Sequence, residues 1–269
     1  MAGLQSVISA FHKIGVRAAV QSMTKVAFRQ YGSPFVIDVR SDTDGEFFEI
    51  VKTNTVQLRV LDSRTRHRHL VLSVSRGDDE DRFLCGHDER HWFVAGLPRD
   101  FGALTVESAM QSLKPKRVTR LEKRKSGKHH RRADVYIRQG EWFFMPCPHA
   151  SIDPERVEQN QSLVRGPGSK PHLCEFMYRD GEREYHCKRY PRLAFFETEY
   201  LEILKTRRKA KQWGWRQLPY TPDIYVRGSI SHPDHATIHL DCWHRVEVNL
   251  ESQPAASGPK RLTIIKFRD

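Results

Sequence analysis

No apolar run in this 269-residue chain approaches the ~18 residues of a membrane-spanning helix. The opening Met1-Ala2-Gly3-Leu4-Gln5 has neither the charged region nor the apolar core of a secretory signal. Cysteine is scarce and unpatterned: Cys85, Cys147, Cys174, Cys187 and Cys242 are odd in number, widely spread, and form no C-x-x-C pair. That argues against a disulfide framework, so the expectation is a cytoplasmic protein with reduced thiols and no membrane partner. Several nucleotide and hydrolase signatures are missing as well. There is no G-x-G-x-x-G, G-x-S-x-G, G-x-x-x-x-G-K-[ST] or H-E-x-x-H, which speaks against Rossmann, serine-hydrolase and P-loop chemistry. Neither zinc-finger spacing nor RNP aromatics occur, so RNA and DNA are not distinguished.

Acidic residues are the other shortfall. Asp and Glu number 33 against 45 Lys and Arg, giving a net charge of +12 and a pI near 9.6. Hydrophobic residues make up 38% and aromatics 10%, which is enough to build a core despite a mean hydropathy of −0.64. A surplus of cations on a foldable chain points to a polyanionic partner, with nucleic acid first. No protein partner is legible.

Periodicity predicts an α+β protein: predominantly antiparallel sheets, a helical N-terminus and a few packing helices. Leu4, Val7, Ile8 and Phe11, then Val16, Ala19, Val20, Met23 and Ala27, predict helix from about residue 3 to residue 31, kinked or divided at Gly15. Alternation then predicts strands through Phe35, Ile37 and Val39, through Val56, Leu58 and Val60, and through Leu70, Leu72 and Val74, with another from His91 to Leu97. A short helix is expected near Thr105 to Leu113. Residues 1–113 read as one lobe and 133–269 as a second, β-rich lobe with one helix near Phe196 to Lys211. Between them, 114–132 carries one acid, Glu122, among many bases and reads as a basic linker. In the second lobe, Leu173 to Tyr178 and Glu184 to Lys188 are expected to form a hairpin around Asp180-Gly181.

Two basic clusters are the candidate nucleic-acid surface. The first comprises Lys114, Lys116, Arg117, Arg120, Lys123, Arg124, Lys125, Lys128, Arg131 and Arg132; the second comprises Lys205, Arg207, Arg208, Lys209, Lys211 and Arg216, interleaved with Trp213 and Trp215. Lys and Arg supply affinity by counterion release, and aromatics stack on unpaired bases, so RNA or single strands are favoured. Arg165, Gly166, Gly168 and Lys170 form a candidate phosphate loop, although Pro167 supplies no N–H and a surface turn explains it as well.

Histidine is concentrated in two places. His235 and His239 are candidate acid–base residues for a phosphodiester, as are His87 and His91 beside Cys85. Strand parity places His235, Thr237 and His239 on a polar sheet face with Arg245 and Asn249, which suits a phosphate or substrate surface and adds Arg245 to the nucleic-acid-binding candidates, whereas His235, His239 and His244 do not easily meet at one metal on a regular hairpin. No cofactor is assigned; a divalent metal held by His87, His91 and their neighbours is compatible with the residues. The leading expectation is therefore a nucleic-acid-binding protein, with a role in nucleic-acid processing compatible with it. A histidine- or metal-dependent phosphodiesterase or nuclease, and a non-catalytic subunit of a larger assembly, are the alternatives.

Overall fold

The computed structural model describes residues 2–125, 135–166, 169–181, 183–218, 222–251 and 263–265. It is an α+β architecture dominated by antiparallel sheets. The chain opens with helix α1 (Ala2–Lys13), whose Val7, Phe11 and Ile14 recur at i, i+4 and i+7 and are fully buried. Gly15, at φ +92°, ends it in a conformation that L side chains rarely adopt. The expected long N-terminal helix therefore stops there. Val16, Ala19 and Val20 belong instead to strand β1 (Arg17–Ser22) and its approach, and helix α2 (Lys25–Tyr31) follows, capped by the Thr24 hydroxyl. The apolar spacing of residues 16–27 fits both periods; pairing of β1 with a neighbouring strand decides between them.

That neighbour is β3 (Gly45–Lys52), parallel to β1 and antiparallel to β2 (Phe35–Asp42); β17 (Thr263–Ile265) adds to the far side of β2. A second sheet is a meander of β4 (Gln57–Arg64), β5 (His69–Arg76), β6 (Asp79–Asp88) and β7 (His91–Gly96). The two sheets and α1 enclose one core in which Phe11, Phe35, Ile37, Phe48, Ile50, Leu70, Leu72 and Val74 are fully buried. The outer face of the meander packs Val71 and Leu84 against Val106 and Ala109 of helix α3 (Val106–Ser112), which starts on a Thr105–Ser108 capping box.

The expected linker is structured where it is described. Lys116–Lys125 forms helix α4, anchored by the fully buried Val118 and by Leu121 against Val135, Tyr136, Phe143 and Met145. Composition alone hid this, because two apolar residues suffice when a preformed apolar surface receives them.

The second half is built on a six-stranded sheet in the order β10 (Glu158–Leu163), β11 (His172–Asp180), β15 (Asp223–His232), β16 (His235–Val248), β9 (Trp142–Pro146), β8 (Ile137–Gln139). Its core face carries Trp142, Phe144, Cys174, Met177, Val226, Ile230 and Leu240. The sheet curls: β9 pairs with the far end of β16, yet Gln139 Nε2 donates to the Ala236 carbonyl (2.6 Å) at the near end. Between β11 and β15 the chain makes a separate small unit, β12 (Glu184–Cys187), β13 (Tyr190–Phe196), helix α5 (Glu197–Thr206) and β14 (Trp215–Gln217). The expected hairpin of 173–178 with 184–188 does not form. β11 pairs with β10 and β15, and β12 pairs with β13 and β14. Among the described residues, no helix is long and apolar enough to cross a membrane.

Candidate functional site

Two places concentrate chemistry, a basic aromatic unit and a histidine-lined cleft. In the first, α5 ends at Thr206, earlier than expected, so Arg207 to Gly214 form a loop packed over the small sheet. Trp213 and Trp215 lie with ring centroids 5.9 Å apart and planes 26° apart, and Trp215 Nε1 donates to the Ala210 carbonyl (2.8 Å). Tyr190, Phe195 and Tyr200 meet the tryptophan rings edge-on. Both tryptophans are half-buried, a placement between core and open surface. The guanidinium groups of Arg189 and Arg207 sit 5.3 and 5.6 Å from the centre of Trp213. They also draw the Tyr190 phenol below its ordinary pKa, chiefly through the hydrogen bond from Arg189. Lys205, Arg207, Arg208, Lys209, Lys211 and Arg216 are all exposed, and among the described residues none forms an ion pair with an acid.

The first basic cluster divides. Lys116, Arg120, Lys123 and Arg124 make an exposed stripe along α4, at helical spacing. Lys114 and Arg117 are engaged instead, with Glu122 (2.7 Å) and Glu247 (3.2 Å). Lys128, Arg131 and Arg132 lie outside the described residues, and for Lys125 only the helical backbone is described. Arg245 is committed internally, paired with Asp223 and Glu247 and packed over the Tyr225 ring.

The candidate phosphate loop is also committed. Arg165 bonds Glu251 (2.6 Å), with both side chains nearly buried, and Lys170 bonds Asp234 (2.7 Å). The Gly166 N–H faces Ser169 Oγ at 3.4 Å, and Gly168 lies outside the described residues.

The second place is a cleft of about 450 Å³ between the two halves. Its lining includes Glu46, Asp88, His91, Arg138, His232 and His235. The two histidine-bearing turns meet here: Glu89 accepts from the Ala236 N–H (3.3 Å), and its Oε2 lies 3.7 Å from His235 Nδ1. His91 bonds Glu46 (2.9 Å), and His87 packs edge-on against Trp92. Cys85 is fully buried, and burial drives its thiol far above the ordinary range. Burial thus disfavours the thiolate that activation by His87 requires.

The floor of the cleft holds a cluster that the sequence did not reveal. Pairing of Leu173 with Ser231 sets His172 opposite His232, and His232 pairs with His235 across the two-residue loop Pro233-Asp234. The register slips here: Ile230 faces Ile238, so two residues of β16 oppose one of β15. This bulge turns His235 onto the core face with His172 and His232, away from His239. The expected polar face of His235, Thr237, His239, Arg245 and Asn249 is thus broken up. His239 stays exposed near Asp241 (3.8 Å), and Asn249 is buried at the cleft. His244 is buried with Nδ1 bonded to the Cys242 carbonyl (2.8 Å).

The three rings are 4.2 Å (His172 to His232), 4.8 Å (His232 to His235) and 5.8 Å (His172 to His235) apart by centroid, and their planes lie within 31° of one another. One nitrogen of each lies within 4.8 Å of the others. His172 is 1% exposed, and neither of its ring nitrogens has a hydrogen-bond partner. Burial, then the two neighbouring imidazoles, pull its pKa down to about 3. His232 accepts from the Asp234 N–H at Nδ1 (3.1 Å), and the Lys170 backbone carbonyl accepts from its ring. Gly140, at φ +55°, turns the chain beside His235; a Cβ there would lie 2.8 Å from Nε2. The missed signal was long-range: His172 reaches the cluster through strand order, and His235 through a bulge. No protein-family model, curated protein or solved structure matches this chain.

Proposed function

We propose that the protein binds nucleic acid, with a preference for RNA or other single strands, through the unit spanning β12 to β14, with the basic stripe of α4 as a second contact. The observation that carries this reading is the run from Lys205 to Arg216. Six exposed cations and no acid follow one another from the end of α5 through the loop into β14, none of them neutralised by a neighbouring carboxylate among the described residues, around two half-exposed tryptophans. A solvated charge run has no use for tryptophan at its centre; a single-strand platform needs both charge and stacking. A base that stacks on Trp213 takes the place of an overlying guanidinium, which is then free to meet a phosphate.

The test is fluorescence anisotropy with labelled single-stranded RNA, single-stranded DNA and duplex, at salt from about 50 to about 200 mM. Affinity should fall steeply with salt. Replacing Arg207, Arg208, Lys209 and Lys211 by Gln should flatten the slope of log K against log salt by about 3, at ~0.7 per lost phosphate contact on a single strand. Trp213→Ala should weaken single strands by roughly 5- to 150-fold, the ~1–3 kcal/mol of one stacked base, and duplex much less. Because Trp213 also packs the small sheet, the four-Gln variant is the cleaner reagent. Affinity that ignores salt, or no binding at the lowest salt, would remove the proposal.

A further inference from the structure

We infer that His172, His232 and His235 form a binding site for one zinc-type divalent metal ion, with its remaining coordination position facing the cleft between the two halves.

Buried ring nitrogens in this cluster lack hydrogen-bond partners. A buried polar atom without a partner costs on the order of 1–3 kcal/mol, and native structures hold few of them. His172 has two such atoms on one ring, and His235 Nδ1 is a third in the same cluster. The closest acid to that nitrogen, Glu89, stands at 3.7 Å, beyond hydrogen-bonding range. Each ring offers one lone pair, so a cation between them accounts for one unpartnered nitrogen on His172 and one on His235, beside the third imidazole of His232, while the other His172 nitrogen carries its proton.

The chemistry of the donors selects the ion. Imidazole nitrogen suits zinc and its first-row neighbours, whereas magnesium and calcium take oxygen. Ligation needs neutral rings, one lone pair from each, and the three rings stand close enough to share one ion. The surroundings also orient the ligands. The Lys170 carbonyl fixes a proton on the His232 ring, and the Lys170–Asp234 pair braces the loop that joins His232 to His235. Ligation through His232 Nδ1 would replace the present Asp234 N–H contact. Three protein nitrogens leave a fourth tetrahedral position, which opens where His232 and His235 line the cleft and would hold water or an anionic oxygen.

The nitrogens, within 4.8 Å of one another, are wider than the roughly 3.4 Å that two 2.1 Å zinc–nitrogen bonds give at a tetrahedral angle. Closing that gap takes rotation of the rings about χ2, and Gly140 supplies the space beside His235 that any side chain would fill. The rival account is a stack of neutral imidazoles that serves only as packing, and it predicts no metal at all.

The experiment uses the full chain without a histidine tag. Metal content is measured by mass spectrometry, and the stripped protein is then titrated with Zn²⁺ against a chromophoric chelator and with Co²⁺ while visible absorption is followed. The expected result is one ion per chain, a rise in thermal midpoint on loading, and the intense visible bands of four-coordinate cobalt. His172→Gln and His235→Gln should each weaken zinc binding by about 100-fold or more, while His239→Gln leaves it unchanged. His235 is the less buried of the two ligands, so His235→Gln keeps the test decisive if His172→Gln fails to fold. Substoichiometric zinc without cobalt bands, or binding indifferent to His235→Gln, would overturn the site. Neither readout involves nucleic acid, so this inference stands or falls apart from the binding function proposed above.

Discussion

At the scale of single residues, His244 illustrates how burial sets a pH limit on this fold. Its ring is buried, Nδ1 donates to the Cys242 carbonyl, and loss of hydration holds its pKa below the ordinary value. The unfolded chain takes up a proton near pH ~6.5, whereas the folded ring stays neutral to lower pH. The contribution to stability is therefore complete above ~6.5 and is lost as pH falls below it, by at most ~1.4 kcal/mol per pH unit for one group. Denaturant unfolding at a series of pH values should show the wild type weakening from neutral pH downward, and His244→Leu should remove close to one proton's worth of that slope. An unchanged slope would mean that the ring is already charged in the folded protein. The other histidines with lowered pKa values (His69, His87, His172 and His232) share the same sign and leave a residual slope.

At the scale of elements, α4 is the informative case. Its sequence, KRVTRLEKRK, looks like a solvated tether, yet Val118 is fully buried and the helix docks on Tyr136, Phe143 and Met145. Placing a carboxylate at that contact buries an unpaired charge, which the protein avoids by releasing the helix. Val118→Asp should thus leave the sheets intact while making 116–125 the first segment cut by trypsin; limited proteolysis with mass mapping reads the result directly. Equal resistance of variant and parent would show that the contact holds nothing in place. The same element marks a boundary of what the sequence discloses. Alternation correctly located β2, β4, β5 and β7, because each half-buried strand writes its own period. It extended the N-terminal helix through Val16 to Met23, where three- and four-residue apolar spacing is equally compatible with β1. Composition misjudged α4 because its receiving surface is supplied by residues far along the chain. The histidine cluster was invisible for a related reason. Parity correctly forbade His235, His239 and His244 from meeting on a regular hairpin, but neither the bulge nor the arrival of His172 is encoded locally.

For the molecule as a whole, the governing quantity is the surplus of +12 charges. Several ion pairs among the described residues are at the surface, among them Arg17 with Asp42 and Arg183 with Glu197, and such pairs contribute little. The unneutralised cations of the Lys205–Arg216 run and the α4 stripe repel one another in the compact state more than in the expanded one. Added salt should therefore stabilise the free protein: the thermal midpoint should rise by a few degrees as NaCl goes from about 20 to about 200 mM, over which screening shortens from beyond 20 Å to below 10 Å. A falling midpoint would show that attractive pairs outweigh repulsion.

The slipped register at the tip of β15 and β16 carries a genetic consequence. Loss of one codon from the stretch encoding Ala236 and Thr237 would restore even pairing and swing His235 to the opposite side of the strand. Length, net charge and the count of histidines would barely register the change. A cluster that depends on a single inserted residue can be gained or erased in one mutational event while the surrounding scaffold remains the same.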